Sequence, residues 1–222
     1  DGIKQIIDFN PDLVGFSVMT SYYKNTKEVI KKLREKLESK VLICVGGSHP
    51  TGLPKETLQD LDIDFVVVNE GEHTMKEFCE KFEDNENPFK NTSGIVYKKK
   101  KRIVFNKPRE FIKNLDELPI PKREFIDFDK YLTPPGVIKG YAMNRATSIM
   151  FSRGCPFDCD YCSVNVVYER HKVRYRSPIR VVDEIEFLIG AHGIEHFEII
   201  DDTFTVNRHH VEALCDEIIQ RK

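Results

Sequence analysis

Three closely spaced cysteines are the strongest chemical signal in this sequence. Cys155, Cys159 and Cys162 follow the pattern Cys-x3-Cys-x2-Cys, directly after a predicted strand at 148–151. Three thiolates on one tight loop can hold three irons of a cubic 4Fe–4S cluster, which leaves the fourth iron without a protein ligand. An open iron can bind a substrate or a second cofactor, whereas electron-transfer clusters have four cysteine ligands. The spacing therefore predicts a reactive iron–sulfur centre.

Two other interpretations of these cysteines remain open. Structural zinc needs four protein ligands, and His171 is the available fourth. A disulfide pair with one free thiol is the other. Cys44, Cys79 and Cys215 are isolated in predicted strands or on apolar helix faces, so we expect them to be small core residues. This uneven use of six cysteines indicates a reduced compartment, and we expect a cytoplasmic protein.

Residues 1–83 alternate between apolar runs and amphipathic segments. We interpret the runs as buried parallel strands and the segments between them as helices. The predicted strands are 13–19, 41–45 and 65–68. We expect the first helix to be capped by Asn25, with Glu28 as its capping-box partner, and a later helix to begin at Pro54. This order predicts a parallel sheet with helices on both faces.

Residues 84–146 interrupt the alternation. Two apolar stretches at 94–97 and 102–105 flank the lysine run 98–101, which predicts a hairpin with a cationic turn. A solvated turn is the favoured interpretation of the lysines, and a phosphate contact is the alternative. Five residues then mark a linker: Pro119, Pro121, Pro134, Pro135 and Gly136.

Strand and helix alternation returns from residue 147. After the cysteines, Ser177 and Pro178 predict the start of a helix and Gly193 its end. The next predicted strand, 197–200, ends at Asp201-Asp202 and is followed by a last amphipathic helix. A closed βα barrel needs several more such units, so this region predicts only the start of a barrel.

Composition excludes several classes of protein. The chain has 222 residues, a formal net charge of −2 and 40% hydrophobic residues. A chain of this length can bury a core without disulfides. Its near-neutral charge gives no argument for nucleic acid as a partner. No apolar run approaches the roughly 20 residues of a membrane span, so we expect neither a nucleic-acid partner nor a membrane span.

The segment from Arg153 to Cys162 resembles the signature of the radical S-adenosylmethionine (SAM) enzymes. The resemblance implies that the three cysteines hold a 4Fe–4S cluster, that SAM chelates its open iron, and that reductive cleavage of SAM starts radical chemistry. It also implies that Tyr161 packs near the adenine and that Asp201 and Asp202 contact the SAM amino group. Many members have Gly-Gly-Glu at the latter position; Asp-Asp is shared by the cobalamin-linked branch.

A second resemblance lies in the first third of the chain. Ser17-Val18-Met19, followed after 26 residues by Gly46-Gly47, is similar to the second half of the cobalamin-binding fingerprint, with Met19 in place of Leu. The resemblance implies that Ser17 offers a hydroxyl to the cofactor's nucleotide tail and that the glycines allow its close approach. Further candidates at strand ends are Thr20, Ser48, Glu70 and Gly71. The fingerprint's first half, Asp-x-His-x-x-Gly, is absent from the residues before Ser17.

Together these features predict an α/β protein with a partial Rossmann-like, cobalamin-binding domain at 1–83, a linker with a hairpin at 84–146 and the start of a radical SAM βα barrel at 147–222. The expected enzyme uses a 4Fe–4S cluster, SAM and cobalamin for methylation, cyclisation or rearrangement. Its expected partners are a small-molecule or lipid-like substrate and an electron donor such as flavodoxin or ferredoxin. The alternatives are a radical SAM enzyme without cobalamin and a non-catalytic iron–sulfur or zinc module. We expect both chain ends to be cut and the sheet edges to cause self-association.

Overall fold

The computed structural model describes residues 2–100, 102–132 and 145–221. The protein divides into two compact units. The first unit comprises the chain up to Phe111 together with Tyr161–Tyr168, and the second comprises Ile112–Asp160 and the chain from Glu169 onwards. Lys101 and the turn residues predicted at 134–136 lie outside the described residues.

A five-stranded sheet forms the centre of the first unit. Strands β1 (Leu13–Ser17), β2 (Leu42–Gly46) and β3 (Phe65–Val67) are parallel, and β4 (Ile95–Lys99) and β5 (Arg102–Phe105) continue the sheet antiparallel in the order β1-β2-β3-β4-β5. The hairpin, which was predicted to be part of a linker, is thus paired with β3, and Val96 lies opposite Val66.

Five helices accompany this sheet: α1 (Gly2–Phe9), α2 (Tyr23–Arg34), α3 (Ser48–Gly52), α4 (Pro54–Asp60) and α5 (Glu72–Glu83). Alternate strand residues face opposite sides, because side chains in a strand point up and down in turn. Ile43 and Val45 pack in one core cluster with Ile30 of α2, whereas Phe65 packs in the other with Phe78 of α5. The prediction of helices on both faces is confirmed.

The start of α2 differs from the sequence prediction. Asn25 was expected to cap this helix, but α2 begins at Tyr23 and contains Asn25. A 3-10 turn at Thr20–Tyr22 leads directly into the helix. The Tyr23 ring packs against His49, with ring centroids 4.2 Å apart. The helix thus begins two residues before Asn25, and the capping prediction is wrong.

The second unit contains two parallel strands, β6 (Ala146–Ile149) and β9 (His196–Ile199). Two short strands, β7 (Ser152–Arg153) and β8 (Arg174–Tyr175), pair antiparallel. Along the chain between them lies α6 (Val164–Val167), which belongs to the first unit. Helices α7 (Pro178–His192) and α8 (Arg208–Gln220) complete the elements. A core cluster that includes Ile149, Phe151 and Val182 joins strand and helix residues.

The predicted boundaries of α7 are confirmed. The Ser177 side chain accepts a hydrogen bond from the Arg180 amide, and Gly193 adopts φ 60° and ψ 36° at the end of the helix. A left-handed residue at this place is the usual glycine stop signal. Helix α8 buries Leu214, whereas Ile218 and Ile219 are 44% and 57% exposed. Cys215 on the same helix is exposed, so the prediction that it is a core residue is wrong.

Candidate functional site

The cysteine loop, residues 154–173, lies between β7 and β8. Ser152 pairs with Tyr175 and Arg153 pairs with Arg174, so a short antiparallel ladder closes the loop at its base. Strand β6 ends at Ile149, just before this ladder. The sequence therefore places its cysteines immediately beyond the carboxyl end of a parallel strand, where ligand sites of α/β proteins lie.

All six cysteines are free thiols. Cys159 is exposed, and Cys155 and Cys162 are partly exposed. Among the described residues, no three His, Cys, Asp or Glu side chains are gathered in an arrangement that holds a metal ion. The donor set nevertheless suits an iron–sulfur cluster, because three accessible thiols occupy one short loop and none of them is used in a disulfide.

The Asp201 carboxylate binds the chain just ahead of the cysteine loop. Its Oδ1 accepts hydrogen bonds from the backbone amides of Phe151 at 2.8 Å and Ser152 at 3.0 Å. Its Oδ2 accepts a bond of 2.6 Å from the Ser152 hydroxyl. Three bonds from the chain itself thus engage the side chain that the resemblance assigned to SAM.

The next two residues continue along the cysteine loop. Asp202 Oδ2 accepts a 3.2 Å hydrogen bond from the amide of Gly154, and Thr203 Oγ1 lies 3.2 Å from Cys155 Sγ. Burial and the neighbouring charge of Asp201 raise the pKa of Asp202, against the lowering effect of the Gly154 bond. The contact of either aspartate with SAM stays a prediction.

His171 and Tyr161, two further candidates of this loop, differ in their surroundings. His171 Nδ1 lies 3.3 Å from the carbonyl oxygen of Pro156, and its backbone has φ 60°. The neighbouring Arg170 binds both carboxylate oxygens of Asp158 at 2.6 Å. The Tyr161 side chain is 93% exposed, so its face is open to a ligand.

The candidate cobalamin residues lie where β1 and β2 end. The Val18 amide donates a 2.7 Å hydrogen bond to the carbonyl of Gly46, and the Val18 carbonyl accepts one of 3.2 Å from His49. Gly47 has φ 102°, and a Cβ atom there would lie 2.9 Å from both Val18 N and Val18 O. Close approach of the chain's own backbone therefore requires glycine at position 47.

A series of side-chain contacts lies at the same carboxyl ends of the strands. Thr20 Oγ1 lies 3.1 Å from Nδ1 of His49, whose ring packs on Tyr23. Tyr23 donates a 2.9 Å hydrogen bond to Asp60, which also pairs with Lys27 at 2.5 Å. Burial, followed by the bond to Asp60, raises the pKa of Tyr23 to about 12. No motif in the sequence pointed to Tyr23 or Asp60.

The remaining cobalamin candidates follow the same edge. Ser17 is exposed at the end of β1, Ser48 begins α3, and Glu70 is 8% exposed before Gly71, which precedes α5. Between them, the Asn69 amide donates a 3.0 Å hydrogen bond to the buried Thr51 hydroxyl. Thr51 thus links the segment after β2 to the segment after β3, and no sequence motif predicts this contact. The structure brings these candidates to the carboxyl ends of the parallel strands, which all lie on the same side of the sheet.

Within the described part of the chain, no helix is both long enough and apolar enough to cross a lipid bilayer.

Known families match both units. The sequence profile of the B12 binding domain matches residues 1–79, and that of the Radical SAM superfamily matches residues 149–221. An uncharacterized methyltransferase of Pyrococcus horikoshii is 35% identical over 209 residues, which cover 94% of this chain and 43% of that protein. The anaerobic magnesium-protoporphyrin IX monomethyl ester cyclase of Synechocystis sp. is 32% identical over 208 residues, 93% of this chain and 39% of that protein.

A solved structure shares the fold. The radical SAM methyltransferase TsrM of Kitasatospora setae, with tryptophan substrate and a SAM analogue bound, superposes with a TM-score of 0.78 at 20% identity. The match covers 100% of this chain and 43% of that chain. This chain spans less than half the length of each of these three relatives. With the B12 binding domain matched at residues 1–79 and the Radical SAM superfamily at residues 149–221, the chain belongs to the family of radical SAM enzymes that carry a cobalamin-binding domain.

Proposed function

We propose that this chain supplies the cluster-binding and cobalamin-binding segments of an enzyme that methylates or cyclises a small molecule. The observation that carries the proposal is the presence, in one chain, of a three-cysteine loop after a parallel strand and of two adjacent glycines, Gly46 and Gly47, at the carboxyl end of the parallel strand β2. The P. horikoshii relative is named a methyltransferase and the Synechocystis relative a cyclase, which supports these two reaction classes.

Cys155, Cys159 and Cys162 would hold the 4Fe–4S cluster. When bound, the cluster and SAM supply a carbon radical by reductive cleavage, and cobalamin supplies a carrier for a methyl group. The chain's own part is to present three thiols on a closed loop and to keep the fourth iron open. Tyr161, whose ring is exposed, would pack against the adenine of SAM.

The strand-end edge of the first unit would hold cobalamin. Ser17 and Thr20 offer hydroxyl groups there, and Gly46 adds no side chain to the crevice. The Thr20–His49 hydrogen bond and the Tyr23–His49 contact hold the imidazole in place beside these residues. Ser48, Glu70 and Gly71 would line the rest of the crevice.

The partners follow from the same chemistry. Reductive cleavage consumes an electron, so we infer a cytoplasmic electron donor such as flavodoxin or ferredoxin. The substrate would be a small or lipid-like molecule with an unactivated carbon, because a radical is needed only where less reactive intermediates cannot attack the carbon.

A radical SAM enzyme without cobalamin is the second candidate. The observation that favours it is Gly47, whose lack of a side chain is already explained by the approach of Val18. Absorbance of cobalamin retained after anaerobic purification with hydroxocobalamin decides between the two. About one cobalamin per chain supports the first candidate, and none supports the second.

Anaerobic reconstitution tests the whole proposal. In the natural polypeptide that contains this sequence, we expect about four irons per chain and cleavage of SAM in the presence of a reductant. Changing Cys155, Cys159 or Cys162 to Ala should abolish both, whereas Cys215→Ala, at an exposed cysteine outside the loop, should change neither. Iron content and SAM cleavage that survive loss of any of the three would overturn the assignment.

A further inference from the structure

Three consecutive residues after β9 bind consecutive points of the chain that leads into the cysteine loop. Asp201 binds the amides of Phe151 and Ser152, Asp202 binds the amide of Gly154, and Thr203 contacts the sulfur of Cys155. These contacts join residues about 50 positions apart in the sequence. They form a series that follows the chain from Phe151 to the first cysteine.

The geometry of each contact suits a bracing role. A carboxylate that accepts several amide and hydroxyl bonds is held tightly and in turn fixes the groups that donate to it. Gly154 has φ 97°, a conformation that other residues rarely adopt, and its amide donates to Asp202. The backbone on the N-terminal side of Cys155 is therefore fixed by two neighbouring carboxylates.

Thr203 completes the series with a contact to sulfur. A cysteine that ligates iron has lost its proton, so its sulfur can only accept hydrogen bonds. The hydroxyl of Thr203, 3.2 Å away, is then the donor. A donor to a ligating sulfur stabilises its negative charge and so favours the reduced state of a cluster, because hydrogen bonds to sulfur are among the factors that set its potential.

We propose that Thr203 is the hydrogen-bond donor that tunes the Cys155 sulfur, and that Asp201 and Asp202 are positioning residues that hold Cys155 against it. The proposal rests on the proposed function, in which Cys155 ligates iron. It gives Asp201 a role in ordering the loop through its three bonds to Phe151 and Ser152, in place of a primary role in binding SAM.

The test compares Thr203→Val, which removes the hydroxyl at nearly constant shape, with Thr203→Ser, which keeps it. Thr205→Val is the matched control, since Thr205 is exposed two residues further on. In the reconstituted protein, the midpoint potential of the cluster is measured by reductive titration followed by electron paramagnetic resonance. We expect a more negative potential in Thr203→Val at unchanged iron content, and potentials like wild type in the other two variants. An unchanged potential in Thr203→Val overturns the proposal.

A second measurement needs no cluster. In the iron-free protein, alkylation of each cysteine is followed by mass spectrometry, with Cys159 as the internal reference. We expect Cys155 to react severalfold faster in Thr203→Ala than in wild type or Thr203→Val, because truncation of the side chain uncovers the sulfur that Thr203 contacts at 3.2 Å. Equal rates overturn the Thr203 contact. Failure of wild type to bind iron instead refutes the proposed function, and the alkylation rates still decide the contact.

The bracing role of Asp201 is tested by hydrogen exchange in the same iron-free protein. Asp201→Asn removes the charge that holds the amides of Phe151 and Ser152, so those amides should exchange faster while those of α8 do not. Unchanged protection at both amides contradicts the positioning role. Asp216→Asn, on α8, is the control for loss of one carboxylate.

Discussion

At the scale of single residues, the two adjacent glycines Gly46 and Gly47, which we propose lie against cobalamin, have different reasons to be glycine. A Cβ on Gly47 would meet Val18 N and O at 2.9 Å, whereas a Cβ on Gly46 would meet Val67 at an ordinary 3.5 Å. Gly47 also has φ 102°. The fold alone therefore requires glycine at position 47 and tolerates a methyl group at position 46.

Gly47→Ala is expected to destabilise the first unit by about 1–3 kcal/mol, the usual cost of a strained backbone conformation. Gly46→Ala and Gly71→Ala, where a Cβ would have its nearest contacts at 3.5 and 3.6 Å, should unfold at nearly the wild-type urea concentration. Measuring cobalamin binding by Gly46→Ala and Gly71→Ala then shows whether the cofactor needs either glycine. A variant that folds normally but binds cobalamin more weakly marks a glycine needed by the cofactor. Equal stability of Gly47→Ala and wild type would contradict the close approach to Val18.

At the scale of elements, ionic contacts join helix α5 to Arg109, in the segment that follows the β4–β5 hairpin. Glu77 accepts a hydrogen bond of 2.6 Å from Lys81 and also pairs with Arg109, whose Nε donates to Thr74 at 2.8 Å. Burial acts to raise the pKa of Glu77, but the bonds from Lys81 and Arg109 outweigh it and hold that pKa below the usual range.

This lowered pKa predicts a pH dependence. A carboxyl whose pKa is depressed by folding contributes stability above its unfolded pKa, and the contribution is lost as the pH falls through the folded value. Glu77→Gln should therefore lose less stability than wild type between about pH 6 and about pH 3, as measured by urea unfolding at several pH values. Glu80→Gln, whose partner Lys76 lies 3.8 Å away in an exposed pair, should follow the wild-type curve. A Glu77→Gln curve parallel to wild type would refute this coupling.

Helix α7 carries a buried charge that fixes the segment before β6. The Glu184 side chain is 2% exposed and lies 2.8 Å from Arg123 and 2.7 Å from Arg176. Removing one member of a buried ionic group leaves the others without compensation, which costs about 3–5 kcal/mol. We expect Glu184→Gln to lower the stability of the second unit by an amount in this range.

Thermal unfolding of Glu184→Gln beside Glu186→Gln measures that cost. Glu186 lies on the same helix, but its side chain is 50% exposed and its partner Arg221 is 3.1 Å away. Its loss should be worth less than about 1 kcal/mol, as is usual for surface pairs. Equal effects of the two substitutions would show that burial adds nothing at Glu184.

At the scale of the whole molecule, the two edges of the five-stranded sheet differ. The β5 edge begins at Arg102, which pairs with Lys99 of β4, and charges of this kind prevent strand addition. The β1 edge, Leu13–Ser17, has no charged residue, and the groove beside it is lined by apolar residues such as Ile6 and Phe16. We therefore expect self-association of this 222-residue chain to involve β1.

Gly15→Lys tests that expectation. Gly15 is an exposed residue in the middle of β1, and a Cβ there would have only an ordinary 3.5 Å contact with Cys44 Sγ. A charge on an edge strand opposes pairing with a second chain, so the variant should sediment as a smaller species than wild type. Gly2→Lys, where a Cβ meets nothing within 4 Å, is the control for added charge. Association that persists unchanged in Gly15→Lys would exclude β1.

The sequence predicted strands and motif positions better than side-chain contacts. Apolar runs located β1, β2 and β3 because buried parallel strands are continuous in hydrophobicity. Helix α3 was missed, since Ser48–Gly52 is too short to show a helical period. The bonds of Asp201 to Phe151 could not be predicted, because local spacing contains no information about partners 50 residues away.

The exposure of Tyr161 has a practical consequence for detecting ligands. Its side chain is 93% exposed, the largest value among the described tyrosines, and it directly precedes Cys162. Reagents that nitrate phenol rings attack accessible tyrosines, so Tyr161 offers a chemical footprint of whatever covers the cysteine loop. Because nitration is read by peptide mass, occupancy of the loop can be followed without any turnover, and Tyr131, 68% exposed, provides the reference within the same molecule.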